Sequence, residues 1–191
     1  MTARRALSLV PLVLLAACAG APGAGGAQMT QQPALPAMPP FVASAPPVPS
    51  APQSADFVLV RKGARQLILF AGGRPIKTYG GLQLGDAPVG PKRFEGDERT
   101  PEGRYRIDYR NPRSAYHLSL HISYPDAQDR DYAAARGLPP GGAIFIHGQP
   151  NALADGRMAG DWTDGCIALS NEEIEELWDA IPDGTPIWIE P

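Results

Sequence analysis

Between Arg5 and Asp56 the chain carries no lysine, arginine, aspartate or glutamate, whereas from residue 56 onward charges recur throughout. A folded domain needs charged residues to face water, so the folding part is confined to residues 56–191. That length suits one domain with a proper core. The 22 prolines and 21 glycines among 191 residues fit the same division, because such a proportion signals a part that is not globular. The net charge of −3 leaves no global basic field, which argues against nucleic acid as a partner.

The uncharged stretch begins as an export signal. Arg4 and Arg5 precede an apolar run over residues 6–17, broken only by Ser8 and Pro11. The run is shorter than the roughly 20 residues that span a bilayer. It ends in Leu15-Ala16-Ala17-Cys18, which resembles a bacterial lipobox. That resemblance implies a signal peptide over residues 1–17, removal of which leaves Cys18 as an acylated N-terminus. Each buried acyl methylene contributes ~0.8 kcal/mol, so several chains make a stable membrane anchor. Ala19 is not aspartate, which by likeness to sorted lipoproteins implies the outer membrane and an envelope location facing the periplasm. The rest of residues 18–55, rich in proline, alanine and glycine, has too few large apolar groups to offset its ordering entropy and is expected to be a disordered tether.

Within residues 56–191 most signals are of strands. Phe57-Val58-Leu59-Val60 and Leu67-Ile68-Leu69-Phe70 are short β-type runs, and Ala71-Gly72-Gly73 turns the chain toward residues 75–79. Residues 104–109 alternate polar and apolar, and so do residues 117–122, where His117, Ser119 and His121 share one face. Ala143-Ile144-Phe145-Ile146 is a buried-strand run that leads straight into His147-Gly148, and Ile187-Trp188-Ile189 can close the domain. The spacing predicts a mainly β sandwich or barrel-like fold with a few short helices. The clearest helix starts at the capping box Ser170-Asn171-Glu172-Glu173. Its apolar stripe is Ile174, Leu177, Trp178 and Ile181, and Pro182 stops it. Residues 126–137 can form a shorter helix or a lid. Trp178 and Trp188 are expected in the core, and Trp162, four residues before Cys166, is a candidate to line a cleft.

Two segments carry the chemistry, Ile144-Phe145-Ile146-His147-Gly148 and Thr163-Asp164-Gly165-Cys166-Ile167-Ala168-Leu169. A thiol with an ordinary pKa of ~8.5 needs a base at neutral pH, and a histidine at the end of a rigid strand is one. Acyl transfer also needs N–H donors for the oxyanion, which the backbone at Gly165-Cys166 can supply. By composition alone, a buried cysteine beside an unrelated histidine is the commoner arrangement. The motifs decide between them. His-Gly after a buried strand, followed by Thr163-x-Gly165-Cys166, resembles the signature of the L,D-transpeptidase (YkuD-type) domain. The upstream Gly96-Asp97-x-x-Thr100-Pro101-x-Gly103-x-Tyr105 is similar to that family's Gly-Asp-x-x-Thr-Pro-x-Gly-x-Tyr stretch and reads as a turn that shapes the sheet, without chemistry of its own.

The resemblance covers essentially all of residues 56–191. It implies a cleft in which Cys166 attacks a carbonyl of a peptidoglycan stem peptide while His147 serves as general base and then acid. Gly165, Thr163 and Gly148 would hold the substrate or oxyanion, with no metal and no cofactor. Ala168 stands where many members have arginine, a departure similar to the YafK-like branch, some of whose members hydrolyse a peptidoglycan–lipoprotein link. If the segment is extended, an arginine at 168 would project on the side of Cys166 and meet a stem carboxylate. Its absence leaves transferase and hydrolase both open, with a wall-linked lipoprotein among the partners. A zinc hydrolase built on His117, His121, His147 and Cys166 lacks any His-Glu-x-x-His or Cys-x-x-Cys spacing. A non-catalytic wall-binding anchor would leave the His147–Cys166 pair without a purpose.

Overall fold

The computed structural model of the chain describes residues 53–191. The signal peptide, Cys18 and nearly all of the tether lie outside the described residues. The fold is mainly β, as the sequence predicts: one eight-stranded sheet with two helices.

Strand β1 (Phe57–Arg61) pairs antiparallel with β2 (Gln66–Ala71), and β2 with β3 (Arg74–Gly80) through the two-residue Gly72-Gly73 turn. Strand β4 (Gly103–Ser114) runs well past the alternating segment that announces it and pairs antiparallel with β5 (His117–Ile122). Next come β6 (Phe145–His147), β7 (Ile167–Ala168) and β8 (Thr185–Glu190). The last strand in sequence lies mid-sheet, parallel to β1 and antiparallel to β4. The order is β3-β2-β1-β8-β4-β5-β6-β7. Beyond β3, Gln83 bridges Ala168 and Gly85 bridges Thr163, so the sheet curls until its two margins meet beside the Cys166 segment.

Burial explains these assignments. In β8 the burial alternates, Ile187 and Ile189 facing the core and Trp188 facing out. This corrects the expectation for Trp188: it is 36% exposed, with the Arg104 guanidinium 4.7 Å from its ring. Period-2 alternation decides the matter over side-chain size. Trp178 is partly buried against the core.

Helix α2 (Asn171–Ala180) begins where its capping box predicts. The Ser170 hydroxyl accepts from the Glu173 N–H at 3.2 Å, and the Glu173 carboxylate accepts from the Ser170 N–H at 2.9 Å. Ile174, Leu177 and Ile181 are buried. Helix α1 (Ala127–Ala134) is capped in the same way by Asp126, and its Asp129 accepts from the Tyr105 hydroxyl at 3.0 Å. None of its residues lines the cavity described below, so this segment forms a helix tied to β4 through Tyr105 and not a lid.

Candidate active site

Strand β6 carries His147 and β7 follows directly on Cys166. The two strands pair in parallel, Ile146 opposite Ile167 and His147 opposite Ala168, which brings together the two ends of the loop over residues 148–165 that joins histidine to cysteine. Both side chains line a single cavity of about 720 Å³, with Tyr116, Ser119, Trp162 and Thr163 among its walls.

His147 is 3% exposed. Its Nδ1 lies 2.7 Å from the Gly148 carbonyl oxygen. A carbonyl only accepts, so Nδ1 carries the proton and Nε2 keeps a free lone pair. The rings of Tyr116 and Trp162 stand 4.7 and 5.5 Å from the imidazole. Burial pushes the His147 pKa below the ordinary histidine value, against a smaller upward pull from the Gly148 carbonyl. Burial raises the Cys166 pKa, as Asp164 does more weakly, while the Phe145 N–H and Lys92 act the other way. Cys166 Sγ accepts from the Phe145 N–H at 3.4 Å and faces the Ala143 carbonyl at 3.6 Å. The resting pair is therefore a neutral thiol and a neutral imidazole, the state that general-base chemistry starts from.

The turn bearing Cys166 is built by its neighbours. The Thr163 hydroxyl donates to the Cys166 carbonyl at 2.8 Å and accepts from the Gly165 N–H at 3.3 Å. Gly165 has φ +122°, and a Cβ there would come to 2.4 Å from the Arg99 carbonyl oxygen. Only glycine fits. With the Thr163 N–H bound to the Leu84 carbonyl and the Gly165 N–H to Thr163, the N–H groups of Asp164 and Cys166 are the two in this turn that meet no acceptor among the described residues. Gly148 departs from its expected part: its N–H donates to the Tyr116 and Leu118 carbonyls at 3.1 and 3.2 Å, so it cannot serve an oxyanion. Its carbonyl instead orients His147.

The Gly96-Asp97 stretch is a turn, as expected, and it reaches the site. Asp97 accepts from the N–H groups of Arg93, Phe94 and Arg99 and from Lys92 Nζ at 2.9 Å. Burial alone would raise the Asp97 pKa, but those hydrogen bonds outweigh it and hold the group ionised. Lys92, 3% exposed, is thereby fixed in the cavity wall. Nothing in its sequence context announces this; only the loop that Asp97 organises brings it there.

Ala168 requires a correction. It is fully buried, exchanges both backbone hydrogen bonds with Gln83 (3.1 and 2.8 Å), and does not line the cavity. An arginine there would not simply extend beside Cys166, because the closing edge of the sheet covers the position. Two further residues without a sequence signal stand close by. Gln149 donates to Leu169 O at 2.6 Å and to Gln83 Oε1 at 3.1 Å, and Gln83 donates to Met158 O and Gly160 O, both at 2.6 Å. The paired amides pin the loop between His147 and Cys166 to the sheet edge.

His117 and His121 do not line the cavity. His117 pairs with Glu175 at 2.7 Å, while His121 pairs with Asp108 at 2.6 Å and stacks on Tyr109. Among the described residues no three His, Cys, Asp or Glu side chains form a metal-holding group.

The family model YkuD, the L,D-transpeptidase catalytic domain, matches residues 55–189. YafK of Escherichia coli K12, whose name carries an L,D-transpeptidase assignment, is 32% identical over 92 residues, 47% of this chain and 31% of that protein. The helical cell shape determining protein Pgp2 of Campylobacter jejuni is 29% identical with a TM-score of 0.58, covering 72% of this chain and 48% of its own. The chain thus spans less than half the length of either relative.

Proposed function

Because the chain belongs to the YkuD family of L,D-transpeptidase catalytic domains, we propose that it is a cysteine acyltransferase acting on peptidoglycan stem peptides. The observation that carries this reading is the shared cavity of Cys166 and His147, with His147 Nδ1 held by Gly148 so that Nε2 is left as the base.

In this mechanism His147 Nε2 takes the Cys166 proton as Sγ attacks the peptide carbonyl. The Cys166 N–H is placed to donate to the developing oxyanion. As the tetrahedral intermediate collapses, imidazolium returns the proton to the leaving amine and a thioester remains on Cys166. An amine or a water then attacks the thioester, again deprotonated by His147, and the thiol is regenerated. Attack by an amine is crosslinking or attachment, and attack by water is hydrolysis. Among the described residues the Lys92 ammonium is the one cation in the cavity wall, and it is already paired with Asp97. That favours hydrolysis as the second reading, since among the described residues no unpaired cation lines the cavity to hold the carboxylate of a conventional donor.

The N-terminal reading enters as part of the proposal: residues 1–17 as signal peptide, Cys18 acylated in the outer membrane, residues 18–55 as tether, and the catalytic domain from residue 56 facing the periplasm and its wall. Mass spectrometry of the envelope-extracted protein tests the anchor. The expected mature terminus is lipidated Cys18, and an unlipidated terminus beyond residue 18 would refute it. The reaction is tested by giving the purified protein a tetrapeptide muropeptide with an amine acceptor and, separately, a lipoprotein-linked muropeptide. New crosslinks or released stem peptide, lost in Cys166→Ala, support the proposal; no product from either contradicts it.

A further inference from the structure

Three polar residues stand in one row across the sheet beside the reacting pair. Asn111 on β4 lies opposite Ser119 on β5, and Ser119 lies opposite His147 on β6. Residues directly opposite in an antiparallel ladder project from the same face, with Cβ atoms about 4.5–5.5 Å apart. All three accordingly line the cavity. Cys166 lies on the other side of the histidine: β6 sits between β5 and β7, and the Phe145 N–H of β6 donates to Cys166 Sγ. His147 thus has the nucleophile on one flank and Ser119 on the other.

Ser119 is 3% exposed, and its hydroxyl makes no hydrogen bond among the described residues, whereas its neighbours in the wall are engaged. Asn111 Oδ1 accepts from the Arg113 N–H at 3.0 Å, Ser114 Oγ accepts from the Tyr116 N–H at 3.0 Å, and the Thr163 hydroxyl donates to the Cys166 carbonyl at 2.8 Å. A buried hydroxyl with no bond inside the protein leaves one to be made with whatever enters the cavity.

The second half of the reaction has a matching need. A water attacking the thioester turns a lone pair to the carbonyl carbon and one proton to His147 Nε2, so its other proton needs an acceptor. Trp162 Nε1 is also unpaired among the described residues, but an indole N–H only donates. A serine hydroxyl accepts, and Ser119 stands one ladder spacing from the base.

We propose that Ser119 is the positioning residue for hydrolysis: its hydroxyl accepts from the attacking water and holds that water against His147 Nε2, on the flank opposite Cys166. The assignment rests on Cys166 carrying the acyl group. The water oxygen bonds to the thioester carbon as its proton passes to Nε2. The C–S bond then breaks, Nε2 returns the proton to Sγ, and a free carboxylic acid leaves. Ser119 gains and loses no covalent bond.

The test separates the two halves of the reaction. The full chain and its Ser119→Ala and Ser119→Thr variants are mixed with a tetrapeptide muropeptide, quenched in acid at intervals and weighed intact, which gives the rates of acylation and of discharge. In Ser119→Ala the ratio of discharge to acylation falls about tenfold and the acyl form accumulates, because the water has lost its anchor. Ser119→Thr, which keeps the hydroxyl, restores the ratio. Added hydroxylamine, which attacks a thioester without help from a base, discharges the acyl forms of the unaltered protein and of Ser119→Ala at equal rates. Acylation and discharge slowed in equal proportion, or hydroxylamine discharge slowed as much as that by water, overturns the proposal. So does an unaltered acyl form that water fails to discharge, an outcome that leaves Cys166 as the nucleophile. Absence of any acyl form in the unaltered protein instead overturns the reading beneath it.

Discussion

His147 and Gly148 are neighbours in the chain and partners in the site: the imidazole Nδ1 donates to the carbonyl oxygen of the next residue across 2.7 Å. This bond fixes the tautomer, so the basic lone pair faces away from the backbone. His147→Ala is expected to lower turnover by about 10²–10⁴. Since base and nucleophile act as one unit, His147→Ala/Cys166→Ala should be scarcely worse than either single change. Additive losses in the double variant would show that the two residues work independently.

Burial of both groups predicts a pH profile. The folded-state pKa of His147 lies below its unfolded value of about 6.5. The unfolded chain therefore binds more protons in the window between those values, and the His147 contribution to stability falls as pH drops through it. Cys166 is raised, so its contribution falls as pH climbs above the unfolded thiol value. Activity, which needs neutral imidazole, should persist below pH 6.5 before it falls. Urea midpoints across pH check the first point, with His147→Gln flattening the acid limb; a rise in stability on acidification through this window would reverse the sign.

Gly165→Ala would bring a Cβ to 2.4 Å from the Arg99 carbonyl, at a φ that L-residues rarely adopt. The expected cost is about 1–3 kcal/mol in stability from backbone strain. Cys166, one residue on, would be displaced, so activity should suffer far more than stability. Native activity in this variant would mean that the turn is not held as described.

Ser170→Ala removes the hydroxyl that accepts from the Glu173 N–H. A loss of about 1 kcal/mol is expected in a denaturant midpoint, with activity retained. An unchanged midpoint would place the start of the helix elsewhere.

Much of the fold is legible in the sequence because its cues are local. The capping box at Ser170, the alternation of residues 117–122 and the run into His147 each depend on a few adjacent residues. The two-residue strand β7 is not legible, since pairing with β6 and with Gln83 creates it. The same holds for Ala168: sequence alternation places it beside Cys166, but the curled sheet edge buries it. In the site, His147 and Cys166 stand out by motif, whereas Tyr116 and the Gln83–Gln149 pair owe their positions to contacts over long sequence separations, and Lys92 to the loop that Asp97 folds around itself.

The central claim is that Cys166 carries the acyl group. The most direct measurement is intact-protein mass after brief incubation with a stem-peptide donor and acid quenching. The account predicts an adduct equal to the donor minus its leaving amine, mapped to Cys166 and absent from Cys166→Ala, whose fold is unchanged by circular dichroism. Turnover by folded Cys166→Ala, or an adduct mapped to another residue, would contradict it.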